Sequence, residues 1–172
     1  MLRNDNEASW INLSLIWGDL ERIASQRDAQ KQNYKSTKNW STGNSTHFLG
    51  LVAEAAFSAY SGLDFDESLN AEGDPGYDFV INGLTIDVKG TQYFNDPHLK
   101  QYPNPKTWVD IYVLVGIDIA QKRAKIFGYA TKEEMRGATL RDYGYGPQRV
   151  VECSKLHRVE ELDILKKEVC HE

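Results

Sequence analysis

Asp78, Asp87 and Lys89 flank an Asn82-Gly83 pair in the stretch Asp78-Phe79-Val80-Ile81-Asn82-Gly83-Leu84-Thr85-Ile86-Asp87-Val88-Lys89. Asn-Gly between alternating apolar residues is a strong hairpin signal, because both turn positions require φ > 0 and the resulting twist matches the flanking strands. A two-residue turn sets the register. Ile81 faces Leu84, Val80 faces Thr85, Phe79 faces Ile86, and Asp78 faces Asp87. Period two then gives Phe79, Ile81, Leu84, Ile86 and Val88 one face, and Asp78, Val80, Thr85, Asp87 and Lys89 the other. The first set reads as a core face. On the second, two carboxylates approach to roughly 4.5–5.5 Å at Cβ, which costs free energy unless a cation lies between them. Paired acids with a lysine two residues on suit an oxygen-ligand site for Mg2+ or Mn2+.

The elements that must position this hairpin begin upstream. A helix is expected from Ser45 or Thr46, either of which can cap it, to Tyr60, with Gly62 ending it. Phe48, Leu49, Leu51, Val52, Ala55, Ala56, Phe57, Ala59 and Tyr60 make it a nearly buried helix. Its polar or small residues, His47, Gly50, Glu54, Ser58 and Ser61, fall on one narrow stripe. Glu54 is its one carboxylate. A buried glutamate is expensive unless it is paired or bound to a cation, so either an arginine elsewhere or a shared metal ion accounts for it. His47, on the same stripe, reads either as a phosphate contact or as helix-start packing.

The hairpin resembles the PD-(D/E)XK nuclease superfamily, in which an Asp opens one strand and an (Asp/Glu)-X-Lys closes the next. Asp78 takes the first position, Asp87-Val88-Lys89 the second, and Glu54 that of the family's helix glutamate. The residue before Asp78 is Tyr77, and the nearest proline is Pro75, so the literal Pro-Asp dipeptide is absent. The resemblance spans roughly residues 45–130. It implies an α/β, restriction-endonuclease-like fold with a mixed central sheet of about four to five strands flanked by helices. It also implies a Mg2+-dependent nuclease, with Mn2+ able to substitute, in which Asp78, Asp87, the Val88 carbonyl and Glu54 hold the ion. Lys89 orients the attacking water and stabilises charge on phosphorus; two adjacent carboxylates oppose its serving as general base. DNA is the implied polymer, although no residue separates DNA from RNA. Many members act as homodimers. Gln92, shortly after the lysine, is a phosphate or water contact by the same resemblance. An inert domain used for binding or assembly is the competing class, and inert relatives usually lose one of the four residues.

At 172 residues the chain is expected to form one domain, and 41% hydrophobic residues fit a globular protein. No apolar run is long enough to cross a membrane and the N-terminus lacks a signal-peptide core, so a cytoplasmic location is the default expectation. Cys153 and Cys170 have no metal-ligand spacing and read as reduced thiols. A net charge of −5 argues against coating nucleic acid through bulk charge. Locally the balance reverses: residues 29–53 contain Lys31, Lys35 and Lys38 and no acid. That stretch is either a positive field suited to a phosphate backbone or a solvated helix end.

Trp10, Leu13, Trp17, Leu20, Ala24 and Arg27, with Ile16 and Ile23, predict an amphipathic helix over about 6–33. Residues 36–44, 63–77 and 93–107 read as loops, the last carrying Pro97, Pro103 and Pro105. Strands are expected over 108–115 and 124–130, the first continuously apolar as if covered on both faces. Thr131 to Glu134 fits a capping box that opens a short helix. Residues 137–149, with Tyr143-Gly144-Tyr145-Gly146-Pro147, read as a loop whose tyrosines either stack on bases or pack in solvent. A last edge strand at 150–153 and an amphipathic helix at 158–169 complete the expectation.

Overall fold

A computed structural model describes residues 9–31, 46–65 and 75–162. In chain order the elements are β1 (Ile11–Asn12), α1 (Trp17–Lys31), α2 (Thr46–Ser61), β2 (Phe79–Ile81), β3 (Leu84–Thr91), β4 (His98–Gln101) and β5 (Ile111–Asp118). Then come β6 (Arg123–Thr131), α3 (Lys132–Arg136), β7 (Thr139–Asp142) and β8 (Pro147–Glu152). The class is mixed α/β. Strands β1, β6, β5, β3 and β2 form one five-stranded sheet in that order, with β3 and β5 parallel and the other pairs antiparallel. A second sheet has the order β4-β8-β7.

Two apolar clusters sandwich the larger sheet. On one face Leu13, with Trp17 and Leu20 of α1 and Val52, Ala56 and Phe57 of α2, packs against Ile86, Val88, Val113 and Val115. Trp17 meets Phe48 edge to face, with ring centroids 5.4 Å apart, which locks the two helices together. On the other face Tyr112 and Leu114 pack with Leu99 of β4, Val151 of β8 and Met135 of α3. Strand β5, sealed from both sides, is buried from Ile111 to Ile117, as its continuous apolar run requires. Helices therefore cover one face, and the other is covered mainly by the small sheet.

Several expectations need correction. The first helix does not begin near residue 6: Ile11 and Asn12 pair with β6, and the Leu13 N–H donates to the Lys122 carbonyl. The Asn12 side chain accepts from the Ser14 N–H, a local bond that competes with helix until Trp17. The segment 93–107 contains β4, and the segment 137–149 contains β7 and the start of β8. Strand β8 is central in its sheet, because β4 and β7 pair on either side of it. The strand expected over 108–115 runs three residues later. Around the C-terminal helix position, residues 158–162 form only a short 3-10 turn at Val159–Glu161, and 163–169 lie outside the described residues. Cys153 opens a short 3-10 turn and is half-buried, and Cys170 lies outside the described residues.

Other expectations hold. Helix α2 spans Thr46–Ser61 and stops at Gly62, whose φ is +76°. The capping box at Thr131 is formed in both directions, side chain to Glu134 N–H and Glu134 carboxylate to Thr131 N–H.

Candidate active site

The turn between β2 and β3 has φ of 50° at Asn82 and 81° at Gly83, the left-handed pair that a two-residue hairpin demands. Its register is Ile81↔Leu84, Val80↔Thr85 and Phe79↔Ile86, where the ladder ends, and just beyond it the Asp78 and Asp87 side chains meet. Asp78 holds this place by two bonds. Its N–H donates to the Ile86 carbonyl at 2.8 Å, and its Oδ2 accepts from the Val88 N–H at 2.6 Å. The carboxylate thus fills an acceptor position that a backbone carbonyl would occupy in a longer ladder. Phe79, Ile81, Ile86 and Val88 are buried on the helix side, while Leu84 at the turn is only partly covered.

Lys89 and Asp87 share the opposite side of β3 and touch, with Nζ to Oδ2 at 2.7 Å. Asp87 is 13% exposed at its side chain and Lys89 38%, so the ammonium remains open to an incoming molecule. Strand β5 supports this side of β3 in parallel register, Asp87 beside Tyr112 and Lys89 beside Leu114.

Helix α2 reaches the acids because Gly90 lets it come close. A Cβ at Gly90 would lie 2.7 Å from the Leu49 carbonyl oxygen, 2.9 Å from Ile117 Cδ1 and 3.2 Å from Ala53 Cβ. The helix backbone rests almost on the strand, and Glu54, next to Ala53, is near enough for its charge to act on Asp78.

The electrostatics follow from this crowding. Burial, then the charges of Glu54 and Asp87, push the Asp78 carboxyl up to about 8, although the Val88 N–H pulls it down. Asp78 is also in hydrogen-bond contact with the Asp87 side chain, which raises it further. For Lys89 burial opposes the charge, but the touching Asp87 carboxylate and the charge of Asp78 outweigh it, holding the ammonium above the usual lysine range. Asp78 feels the charges of both Glu54 and Asp87 while one ammonium, Lys89, is paired with Asp87, so the site is short of positive charge. Oxygen donors of this kind fit a hard divalent ion. Among the described residues no three or more His, Cys, Asp and Glu side chains form a ready-made metal cage. Two carboxylates completed by water are a sufficient anchor for Mg2+. Val88 lies between Asp87 and Lys89 on β3, its side chain in the core and its N–H committed to Asp78.

The remaining expected contacts lie elsewhere. His47 is exposed, with Nδ1 2.6 Å from Asp28 Oδ1 on α1. Gln92 follows the end of β3 and lines an open groove of about 630 Å3 with Trp10, Phe94, Asp118 and Arg123. Lys31 ends α1 with its side chain outside the described part, and Lys35 and Lys38 lie outside the described residues altogether. Sequence reasoning passed over a different cationic pair, Arg136 and Arg149, each with its guanidinium carbon 5.8 Å from the Trp108 ring centroid. No spacing in the chain links these three, which come from α3, β8 and the segment before β5.

No helix among the described residues is long and apolar enough to cross a membrane. Comparison of the chain with protein-family models, with curated proteins and with solved structures finds no match in any of the three.

Proposed function

We propose that this chain is a divalent-metal-dependent nuclease of restriction-endonuclease-like fold that hydrolyses DNA phosphodiester bonds. The observation that carries the reading is the contact of the Asp78 and Asp87 carboxyls at the mouth of a tight hairpin, with Glu54 and Lys89 acting on the same spot. Asp78, Asp87, the Val88 carbonyl and Glu54 would hold Mg2+, or Mn2+ in its place. The ion, when bound, neutralises charge on a phosphate and acidifies a water.

The chain's own residues divide the rest of the work. Lys89 stays protonated, so it donates hydrogen bonds to the attacking water or to a phosphate oxygen and does not take a proton. Asp87 holds that ammonium in place at 2.7 Å. Asp78, pinned by the Val88 N–H, offers its charge at a defined position, and the Gly90 approach sets the distance of Glu54. DNA as the polymer, and pairing of two copies to cut both strands, rest on the resemblance of the hairpin motif.

The test is cleavage of supercoiled plasmid with Mg2+ or Mn2+ and with EDTA. Wild type should nick or linearise the plasmid only with metal. Asp87→Ala and Lys89→Ala, with circular dichroism unchanged, should lose at least about a hundredfold in rate. Equal activity in those variants ends the enzymatic reading. A parallel reaction on RNA separates the two polymers.

A further inference from the structure

We infer that Arg136 and Arg149, held at the Trp108 indole, form a preorganised grip for a backbone phosphate of the nucleic acid beside the acid cluster. The inference rests on the nuclease reading and names the part of the same site that binds substrate. Arg149 is fixed: its Nε donates to the Pro103 carbonyl at 3.2 Å, and its Nη1 to the carbonyls of Arg136 at 2.6 Å and Ala138 at 3.5 Å. These acceptors are neutral, so they hold the guanidinium without cancelling its charge.

The nearby acids are engaged elsewhere. Asp110 pairs with Lys132 at 2.7 Å, and the Glu134 carboxylate accepts from the Thr131 N–H and meets His157. Glu133, exposed on α3, makes no ion pair with Arg136, and among the described residues neither guanidinium meets a carboxylate. Two like charges gathered at one aromatic plate, one of them clamped by three carbonyls, are costly to assemble and suited to an anion. A fixed arginine also loses less side-chain freedom when it binds.

The patch adjoins the acids through the chain. A Cβ at Gly76, two residues before Asp78, would lie 3.3 Å from Thr107, the neighbour of Trp108. Tyr77 and Trp108 pack against the same apolar cluster. The indole that carries the two guanidiniums thus lies on the segment that packs against the approach to Asp78, where a phosphate next to the scissile one would fall. Exposed Arg136 offers its fork to that group, and Arg149, whose Nε and Nη1 are taken by carbonyls, offers Nη2.

Fluorescence anisotropy of a short labelled DNA duplex in EDTA, over a series of NaCl concentrations, tests this without any cleavage. Arg136→Ala removes an exposed side chain and should weaken binding about tenfold while lowering the salt slope by about one. Arg149→Lys keeps the charge but loses the three-carbonyl clamp that fixes it, and should fall between wild type and Arg136→Ala. Melting temperature of each variant checks folding. Wild type that binds, with Arg136→Ala matching it in affinity and salt slope, overturns the inference alone. Wild type that binds no DNA overturns it together with the nuclease reading.

Discussion

Replacing Asp78 by Asn removes one charge from a crowded trio while keeping size and an acceptor for the Val88 N–H. Without a divalent ion, the folded protein keeps the Asp78 proton up to about 8, whereas the unfolded chain releases it near 3.8. Between those values unfolding releases a proton, so rising pH favours the unfolded state; the cost grows across the window and is constant above it. At about 1.4 kcal/mol per pH unit the ceiling is roughly 6 kcal/mol. Asp78 keeps some contact with water and its neighbours can shift, so screening reduces the expected effect at pH 8 to about 1–3 kcal/mol. Urea unfolding in EDTA at pH 5 and pH 8 reads it directly. Asp78→Asn should be more stable than wild type, by a wider margin at pH 8, and inactive on plasmid. Adding Mg2+ should reverse the order at pH 8, because only the wild type gains a ligand that binds the ionised pair. An equal margin at both pH values, or a wild type that gains stability between pH 5 and pH 8 in EDTA, refutes the reasoning.

The other expectations concern positioning and packing. Gly90→Ala forces the Leu49 carbonyl of α2 away from a Cβ that would otherwise sit at 2.7 Å, so it should lower stability by about 1–3 kcal/mol in denaturant titration. By moving Glu54 it should also slow cleavage about tenfold or more, although no acid or lysine is altered. Leu99→Ala opens a cavity between the two sheets and should cost about 2–5 kcal/mol, in one transition seen alike by tryptophan fluorescence and circular dichroism. Thr131→Ala removes one arm of the α3 capping box and should cost about 1 kcal/mol in thermal unfolding, with plasmid cleavage unchanged.

What could be read from the chain is what local rules determine. Strands β2 and β3 declared themselves through Asn82-Gly83 and strict alternation, α2 through its unbroken apolar composition and Gly62, and α3 through Thr131 and Glu134. Strand β4 escaped because nothing local marks it: it sits among prolines, and its reason to be extended is β8, whose Glu152 pairs with His98 from far along the chain. The hairpin of β7 and β8 was hidden in a glycine- and tyrosine-rich stretch for the same reason. Helix α1 started late because the bond between Asn12 and Ser14 competes with its first turns, an effect the apolar spacing does not register. At the candidate site the contact of Asp87 with Lys89 followed from alternation along β3, and that of Asp78 with Asp87 from the tight turn. The approach of Glu54 depended on Gly90, whose role is visible only once α2 lies on β3. Arg136 and Arg149 become neighbours through Trp108 and the bond from Arg149 to the Arg136 carbonyl, and no pattern in the chain anticipates that meeting.

The parallel pairing of β3 with β5 has a bearing on how the chain is made. A parallel neighbour cannot be reached by a tight reversal, and the excursion from Thr91 to Ile111 lends its middle to the other sheet as β4. During synthesis that segment has only bare amide and carbonyl edges to show until β8 leaves the ribosome, and Leu99 has no lid. The late-arriving strand is thus the clasp of the whole assembly, and a nascent chain stopped after α3 carries an open seam on which two such chains could adhere.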